Sequence, residues 1–230
     1  MPELLLDHLP LVLLGALLGL DVVSFPQAMV SRPLVAATLG GTLVGGPVAG
    51  LTLGCILELF ALETLPFGAS RYPEWGSAAA VAGGLYASED PSRAGAIALA
   101  VLLALVVAQV GGQSMIWLRQ LNGRWARARS AQLEAGDAGA VIGLQVMGLV
   151  ADLVRGALVA SVGLLAGRLL LPPMLDAWRD SELVARGGTV AVAVAVAAAA
   201  AWKLFHVVRG GRLLFSAGLA GGLLLFLVLR

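Results

Sequence analysis

Charged and aromatic side chains are scarce in this sequence. Only 13% of its 230 residues are Asp, Glu, Lys or Arg, and only 6% are Phe, Trp or Tyr. A soluble domain has a charged fraction of about 25%, so this chain has too few charges to cover a soluble surface. Hydrophobic residues make up 59% of the chain, and its mean hydropathy is +0.92. The composition excludes an ordinary soluble globule and indicates an integral membrane protein of several helices.

Side chains that bind metals are also rare. The sequence has one cysteine, Cys55, and two histidines, His8 and His206. A single cysteine cannot form an internal disulfide, and Cys55 lies in an apolar run where a small packing residue is expected. The histidines are too far apart in the sequence to suggest a shared ion. We therefore predict neither a metal site nor a cofactor, and the absence of a basic, aromatic-rich cluster predicts no binding of nucleic acid.

Several apolar runs are long enough to cross a bilayer, for which a helix needs about 20 residues. We predict an all-α polytopic membrane fold with about six or seven hydrophobic segments, some of them broken, re-entrant half-helices in the first third of the chain. Acidic rather than basic residues precede the first segment, so we expect a retained helix and not a signal peptide. The unbroken segments are Leu11–Val23, Ala94–Leu118, Gly139–Leu171, Gly187–Val208 and Leu213–Leu229.

Charge and proline predict the connections between these segments. The stretch 119–137 carries four arginines and is predicted to be a cytoplasmic basic loop, because basic connections stay inside. This orientation places Lys203, Arg209 and Arg212 on the cytoplasmic side as well. Pro172-Pro173 is predicted to end the preceding helix, and Leu175–Arg186 to form a charged loop on the outside.

Residues 33–88 contain the features least typical of a simple span. Six glycines lie between Pro33 and Leu57, and Pro47 follows a Gly-Gly step. Proline removes a backbone donor and clashes with the preceding turn, so we predict two half-helices, Pro33–Val44 and Val48–Leu62. A second interruption, at residues 66–74, precedes the apolar piece Ala78–Ala87. Broken helices at membrane depth often build the substrate sites of transporters.

Three glutamates in or beside this region are candidate ligands for a substrate, because ionisable groups inside a membrane are costly. Glu58 continues the spacing of Gly50 and Gly54, so it should face protein or a cavity; a purely structural ion pair with Arg32 is the alternative. Glu63 could instead be an interfacial loop residue. Glu74 lies beside Trp75, a pairing that suits sugars, although the ring could simply anchor the interface.

Neutral and paired polar groups complete the list of candidates. Gln27 and Ser31 could form hydrogen bonds with a hydroxylated ligand. Asp152 and Arg155, three residues apart on one helix, are predicted to be a structural ion pair. We find no catalytic residues, because the sequence has no phosphate loop, nucleophile elbow or metalloprotease motif.

The broken region also carries a series of motifs in a recognisable order. They are Gln27-Ala28-Met29-Val30-Ser31-Arg32-Pro33, Gly45-Gly46-Pro47-Val48-Ala49-Gly50-Leu51, Leu57-Glu58-Leu59, Leu65-Pro66-Phe67-Gly68-Ala69 and Tyr72-Pro73-Glu74. This set resembles the membrane IIC subunit of the mannose-family (mannose–fructose–sorbose) sugar phosphotransferase system. Specific motifs cover residues 20–85. Two positions depart from the family pattern: Gly46 stands where many members have Asp, and Glu74-Trp75 replaces Asp or Asn followed by a small residue.

The resemblance implies a sugar-translocating subunit in the bacterial cytoplasmic (inner) membrane, and not an enzyme. Its implied partners are a IID membrane subunit, soluble IIA and IIB phosphoryl carriers, a hexose-like sugar and the lipid bilayer, with a homo-oligomer of the IIC–IID complex as a further assembly. Matched by position, the ligand-facing residues would be Gln27, Ser31, Glu58 and Glu74, with Glu63 a weaker fifth. A degenerate, non-transporting scaffold or receptor-like relative is the alternative.

Overall fold

The computed structural model describes residues 9–64, 72–206 and 208–228, which form nine α-helices and one short 3-10 helix at Leu62–Thr64. The described part of the chain contains no strand, so the predicted all-α fold is confirmed. The helices are α1 (Leu9–Asp21), α2 (Pro33–Leu43), α3 (Pro47–Ala61), α4 (Trp75–Ser88), α5 (Ala96–Ala128), α6 (Ser130–Glu134), α7 (Ala138–Ala177), α8 (Glu182–Phe205) and α9 (Gly211–Val228).

The break in the first third is confirmed: α2 ends at Leu43 and α3 begins at Pro47. Gly45 takes a left-handed φ of +82° in the turn between them. The two helices then pack backbone against backbone, since a Cβ added to Gly50 would lie 2.4 Å from the carbonyl oxygen of Ala37. The predicted interruption at Pro66-Phe67-Gly68 lies outside the described residues.

Helix α4 is the centre of the bundle and packs against α1, α2, α3, α5 and α7. Twelve of its fourteen residues are buried, although the helix is too short to span about 30 Å of hydrocarbon. Small residues make this packing possible. A Cβ on Gly83 would lie 2.4 Å from the carbonyl oxygen of Ala37, and one on Gly40 would lie 2.0 Å from that of Ala80. Protein therefore covers α4 on most sides, as a segment that ends inside a membrane requires.

Two predictions about the long helices are wrong. The stretch 119–137 is not a loop, because α5 continues to Ala128 and α6 follows it. Helix α7 runs through Pro172 and Pro173 to Ala177, which leaves only 178–181 between it and α8. At 1.5 Å per residue, α5 is about 50 Å long and α7 about 60 Å. Both exceed the hydrocarbon thickness, and their residues near α6 form a projecting hairpin.

By length and composition, four helical stretches of the described chain could cross a membrane, namely 47–64, α5, α7 and α8, and α1 and α2 are shorter apolar helices. Ion pairs mark the two ends of the bundle. At one end Arg93 pairs with Asp176, and we call this the Arg93 end. At the other, Arg119 donates to the Tyr72 hydroxyl over 3.0 Å and Lys203 pairs with Glu63; we call this the Arg119 end.

Candidate functional site

The loop between α1 and α2 is held by a buried carboxylate, Asp21, the last residue of α1. Its two oxygens accept hydrogen bonds from the backbone N–H of Ala28, at 2.7 Å, and of Ser31, at 2.9 Å. Gln27 has a left-handed φ of 58°, its side chain is exposed, and its amide donates to the Val23 carbonyl. Asp21 thus fixes the loop that carries two of the predicted ligands, Gln27 and Ser31.

Glu58 of α3 forms an ion pair with Arg32, which is the structural alternative to a role as a substrate ligand. Nε of Arg32 donates to Oε1 over 2.7 Å, and the backbone N–H of Leu34 donates to Oε2 over 3.1 Å. Glu58 therefore holds the start of α2, whose first N–H groups have no partner within the helix. Gly54, one turn earlier, allows this approach, since its Cβ would lie 2.9 Å from the Leu34 carbonyl oxygen. The Glu58 carboxylate is thus directed toward α2 and the residue that precedes it.

A small cleft of about 40 Å³ opens at this level of the bundle, at the Arg119 end. It brings Ser31 and Arg32 together with Tyr72 and Trp75, which precede and begin α4. The indole Nε1 of Trp75 donates to Thr64 Oγ1 over 3.4 Å. The complete lining is Val22, Ser31, Arg32, Pro33, Thr64, Tyr72, Pro73 and Trp75. A volume of this size holds water molecules and is well below the approximately 300 Å³ of small-molecule pockets.

Glu74 lies behind this cleft and is completely buried. Its Oε1 caps α4 by accepting the backbone N–H of Ser77 over 2.9 Å. Its own N–H donates to the carbonyl of Ala108 over 2.8 Å. Gly111 makes room for the carboxylate, because a Cβ there would lie 3.0 Å from Oε2. Oε2 finds no hydrogen-bond donor among the described residues.

Arg155 of α7 is the buried cation nearest to Glu74, with its Nη1 3.9 Å from Oε2. Its Nε donates to Asp152 over 2.7 Å, so the predicted Asp152–Arg155 ion pair is present. The same guanidinium donates to Ser114 Oγ over 3.3 Å and to the Gly19 carbonyl over 3.2 Å. Arg155 thus joins α1, α4, α5 and α7. We call Glu74, Ser114, Asp152 and Arg155 the buried polar network.

The structure separates the five predicted ligands into four environments. Ser31 lines the small cleft, and Glu58 reaches that cleft through Arg32. Glu74 belongs to the buried polar network behind it. Gln27 is exposed on the preceding loop, and Glu63 pairs with Lys203 on α8. In this conformation the described residues do not bring all five side chains to one open pocket.

Sequence reasoning missed three polar groups that organise this region. Asp21 ends an apolar run, and an ionisable group there is a signal for a candidate site. Ser24 donates to Oδ2 of Asp152, 128 positions later in the chain, and Ser77 donates to the carbonyl of Gly15 over 2.8 Å. Neither serine lies in a distinctive motif, so the role of each serine is visible only in the packing around α1. Within residues 9–64, 72–206 and 208–228, no three His, Cys, Asp or Glu side chains lie close enough to hold a metal ion.

Known proteins are similar to this chain in sequence or in fold. A family model described as "PTS system sorbose-specific IIC component" matches residues 5–191. A fructose permease IIC component of Bacillus subtilis (strain 168) is 29% identical over 142 residues, which are 61% of this chain and 49% of that protein. The PTS system sorbose-specific EIIC component of Lacticaseibacillus casei is 26% identical over 165 residues, which are 70% of this chain and 58% of that protein. The chain thus spans only about half the length of these relatives.

A solved structure described as "Structure of membrane protein" has the same fold, with a TM-score of 0.70 and 22% sequence identity. The match covers 97% of this chain and 95% of that one. The arrangement of short and long helices is therefore shared with that structure over nearly all of both chains.

Proposed function

This chain belongs to the sorbose-specific IIC component family of the sugar phosphotransferase system, and we propose that it binds a hexose-like sugar and moves it across the membrane. Members of this family are integral membrane permease components of the bacterial inner membrane, and they are not the subunits that transfer the phosphoryl group. The family match includes the whole broken-helix region, residues 33–88, in which we place the sugar. That region carries the proposal.

The geometry supports a site on the Arg119 side of α4. Broken helices at membrane depth place backbone groups and side chains around an interior position, and here α2, α3 and α4 begin or end around the small cleft. Ser31 offers a hydroxyl and Trp75 an aromatic ring. Sugars need both a polar partner for their hydroxyls and an apolar face. Gln27 lies on the same loop as Ser31, and Asp21 holds that loop through hydrogen bonds.

The cleft is too small for a hexose in this conformation, so we propose that binding requires movement of the short helices against α5 and α7. Such a movement would expose Glu74, whose Oε2 already lacks a donor, and a sugar hydroxyl would supply one. Glu58 would act through Arg32, and Glu63 is the weakest member of the set because Lys203 already holds it.

The partners in this proposal are a IID membrane subunit, which would complete the sugar site, and soluble IIA and IIB carriers that would deliver phosphate. We propose that the Arg119 end is cytoplasmic, because the basic residues of α5, α8 and the following turn are at that end. A homo-oligomer of the IIC–IID complex would be the assembly in the membrane.

Uptake of labelled sugar into cells or vesicles tests the function directly. We expect coexpression of this chain with a IID subunit from the same genome to give a copurifying complex and sugar uptake that depends on phosphoenolpyruvate. Glu74→Gln should abolish uptake while membrane insertion remains normal. Copurification without uptake of any hexose would contradict the transport proposal and would leave a non-transporting scaffold.

A further inference from the structure

A cavity of about 460 Å³ lies at the Arg119 end of the bundle, between the projecting parts of α5 and α7, and it is distinct from the small cleft beside α4. Its volume falls in the range of small-molecule pockets, about 300–1,000 Å³. The lining residues come from the loop after α1 and from α5, α6 and α7. They are Val23, Ser24, Asn122, Trp125, Ala126, Leu133, Val141, Leu144, Gln145, Gly148 and Leu149.

The lining has a specific chemical character: it contains no ionisable side chain, although arginines surround it in the sequence. Trp125 supplies an aromatic face, and Asn122, Gln145 and Ser24 supply neutral polar groups. Aromatic and apolar walls with a few convergent neutral polar groups are suited to an uncharged ligand with several hydroxyls.

One polar atom of the cavity lining lacks a hydrogen-bond donor within the described part of the chain. Oδ1 of Asn122 is buried and has no hydrogen-bond donor among the described residues. A buried acceptor without a donor costs free energy, and a hydroxyl in the cavity would satisfy it. Helix α7 lies beside this side chain, because a Cβ on Gly148 would be in van der Waals contact with Nδ2 of Asn122, at 3.7 Å.

The cavity is also connected to the buried polar network. Ser24, on its wall, donates to Asp152. On α7, Gln145, Gly148 and Asp152 follow at helical spacing, so they lie on one face of the helix. The cavity therefore continues the α5–α7 interface from the network toward the projecting hairpin.

We propose that this cavity is a second carbohydrate site, which receives the sugar at the Arg119 end after it leaves the region around α4. Trp125 would stack on the sugar ring, and Asn122 and Gln145 would bind its hydroxyls. The ligand class in this inference rests on the proposed sugar transport. Its location rests on the cavity lining alone.

Cysteine protection in phospholipid nanodiscs tests the site. Maltoside detergents are avoided because their headgroup is itself a sugar. Ala126→Cys, in the cavity, and Ala135→Cys, exposed outside it, are each made in a Cys55→Ser background and labelled with a hydrophilic maleimide. D-fructose and L-sorbose are the probes, and glycine betaine at equal osmolality is the control. At about ten times Kd, bound sugar should slow labelling of Ala126→Cys about tenfold and leave Ala135→Cys unchanged.

Substitutions of lining residues show whether protection comes from sugar bound in the cavity or from a conformational effect of sugar bound elsewhere. Asn122→Leu should weaken protection about tenfold in Kd, as loss of one hydrogen bond predicts. Trp125→Ala should remove protection, whereas Trp125→Phe should retain most of it because the ring remains. Gln145→Leu, at an exposed position, should weaken protection with little risk to folding. Protection that is unchanged in all of these variants would overturn the proposal.

Uptake measured in parallel distinguishes the two proposals. Sugar uptake without protection of Ala126→Cys overturns the cavity site and leaves the transport function standing. Protection without uptake supports the cavity site and counts against transport. Equal protection by glycine betaine would also overturn the site, since the effect would then be osmotic.

Discussion

Nη1 of Arg155 lies 3.9 Å from Oε2 of Glu74, and both side chains are buried in the interior of a membrane protein. Arg155 also pairs with Asp152, so one cation faces two carboxylates from different helices. Charges removed from water are tolerated when they are paired and hydrogen-bonded. This arrangement couples the N-terminus of α4 to the middle of α7, and any movement of the short helices must change it.

The buried arginine is expected to be essential for stability. Arg155→Met would leave Glu74 and Asp152 without their cation, and breaking a buried pair in this way costs about 3–5 kcal/mol. The free energy of unfolding, measured by titration with sodium dodecyl sulfate in mixed micelles, should fall by this amount. Arg93→Met is the matched control, since it breaks an exposed pair with Asp176 that is worth about 0–1 kcal/mol. Equal losses of unfolding free energy in the two variants would show that the buried pairs stabilise the protein no more than the exposed pair does.

Close packing around α4 predicts a strong position dependence for glycine substitutions. The Cβ of Gly83→Ala would lie 2.4 Å from the Ala37 carbonyl oxygen, so α2 and α4 must separate. Such overpacking costs about 1–3 kcal/mol. Gly218→Ala on α9 meets nothing within 4 Å and should be neutral or slightly stabilising, because alanine favours helices. Thermal unfolding of the two purified variants compares them, and a stable Gly83→Ala protein would contradict the packing described for α4.

The ion pair between Arg32 and Glu58 allows structural and ligand-binding roles to be separated. Glu58→Gln should abolish sugar uptake under either role. In the double variant Arg32→Glu/Glu58→Arg the pair can form again, although the backbone N–H of Leu34 loses its carboxylate acceptor. If the pair is only structural, uptake should recover substantially in the double variant compared with either single variant. We expect no recovery, because a sugar hydroxyl would meet the wrong charge. Insertion is monitored by fluorescence-detection size exclusion, and full recovery would remove Glu58 from the proposed sugar site.

The turn between α2 and α3 makes a prediction that concerns backbone conformation alone. Gly45 has φ +82° and no neighbouring atom within 4 Å of an added Cβ. A side chain therefore meets conformational strain rather than a clash. Gly45→Ala should lower the free energy of unfolding by about 1–2 kcal/mol, and Gly45→Asn should lose less, because asparagine tolerates the left-handed region. Unfolding titrations of the two variants measure the difference, and equal stability of Gly45→Ala and wild type would exclude the left-handed turn.

Much of the fold follows from local signals. Pro47 after Gly45-Gly46 predicts the break within a residue or so of its position, because a missing donor and a steric clash act on the adjacent turn. The same rule fails at Pro172-Pro173, where α7 continues to Ala177. There Leu171 and Leu175, on either side of the prolines, are buried in the core, and Trp178 packs against Gly95 of the α4–α5 loop. Local chemistry sets the free-energy cost of a proline in a helix, and tertiary contacts decide whether the helix continues past it.

The candidate site could be predicted only in part. Glu58 and Arg155 stand out because an ionisable group in an apolar run must have a partner, and both partners, Arg32 and Asp152, were foreseen. Arg155 and Glu74 are 81 positions apart in the sequence, and neither segment contains a local pattern that predicts their contact. The pairing of Glu63 with Lys203 likewise depends on how α8 packs, although an interfacial position for Glu63 was one of the two predicted alternatives.

From composition and local motifs alone it follows that this is a membrane protein, that its chain breaks before Pro47 and that it shares motifs with its family. Those properties depend on composition and on interactions between neighbouring residues along the chain. Which buried charges meet, the central position of α4 and the neutral cavity beside the buried polar network are visible only in the folded chain. These depend on how closely glycine-lined helices approach one another, a distance that no single segment encodes.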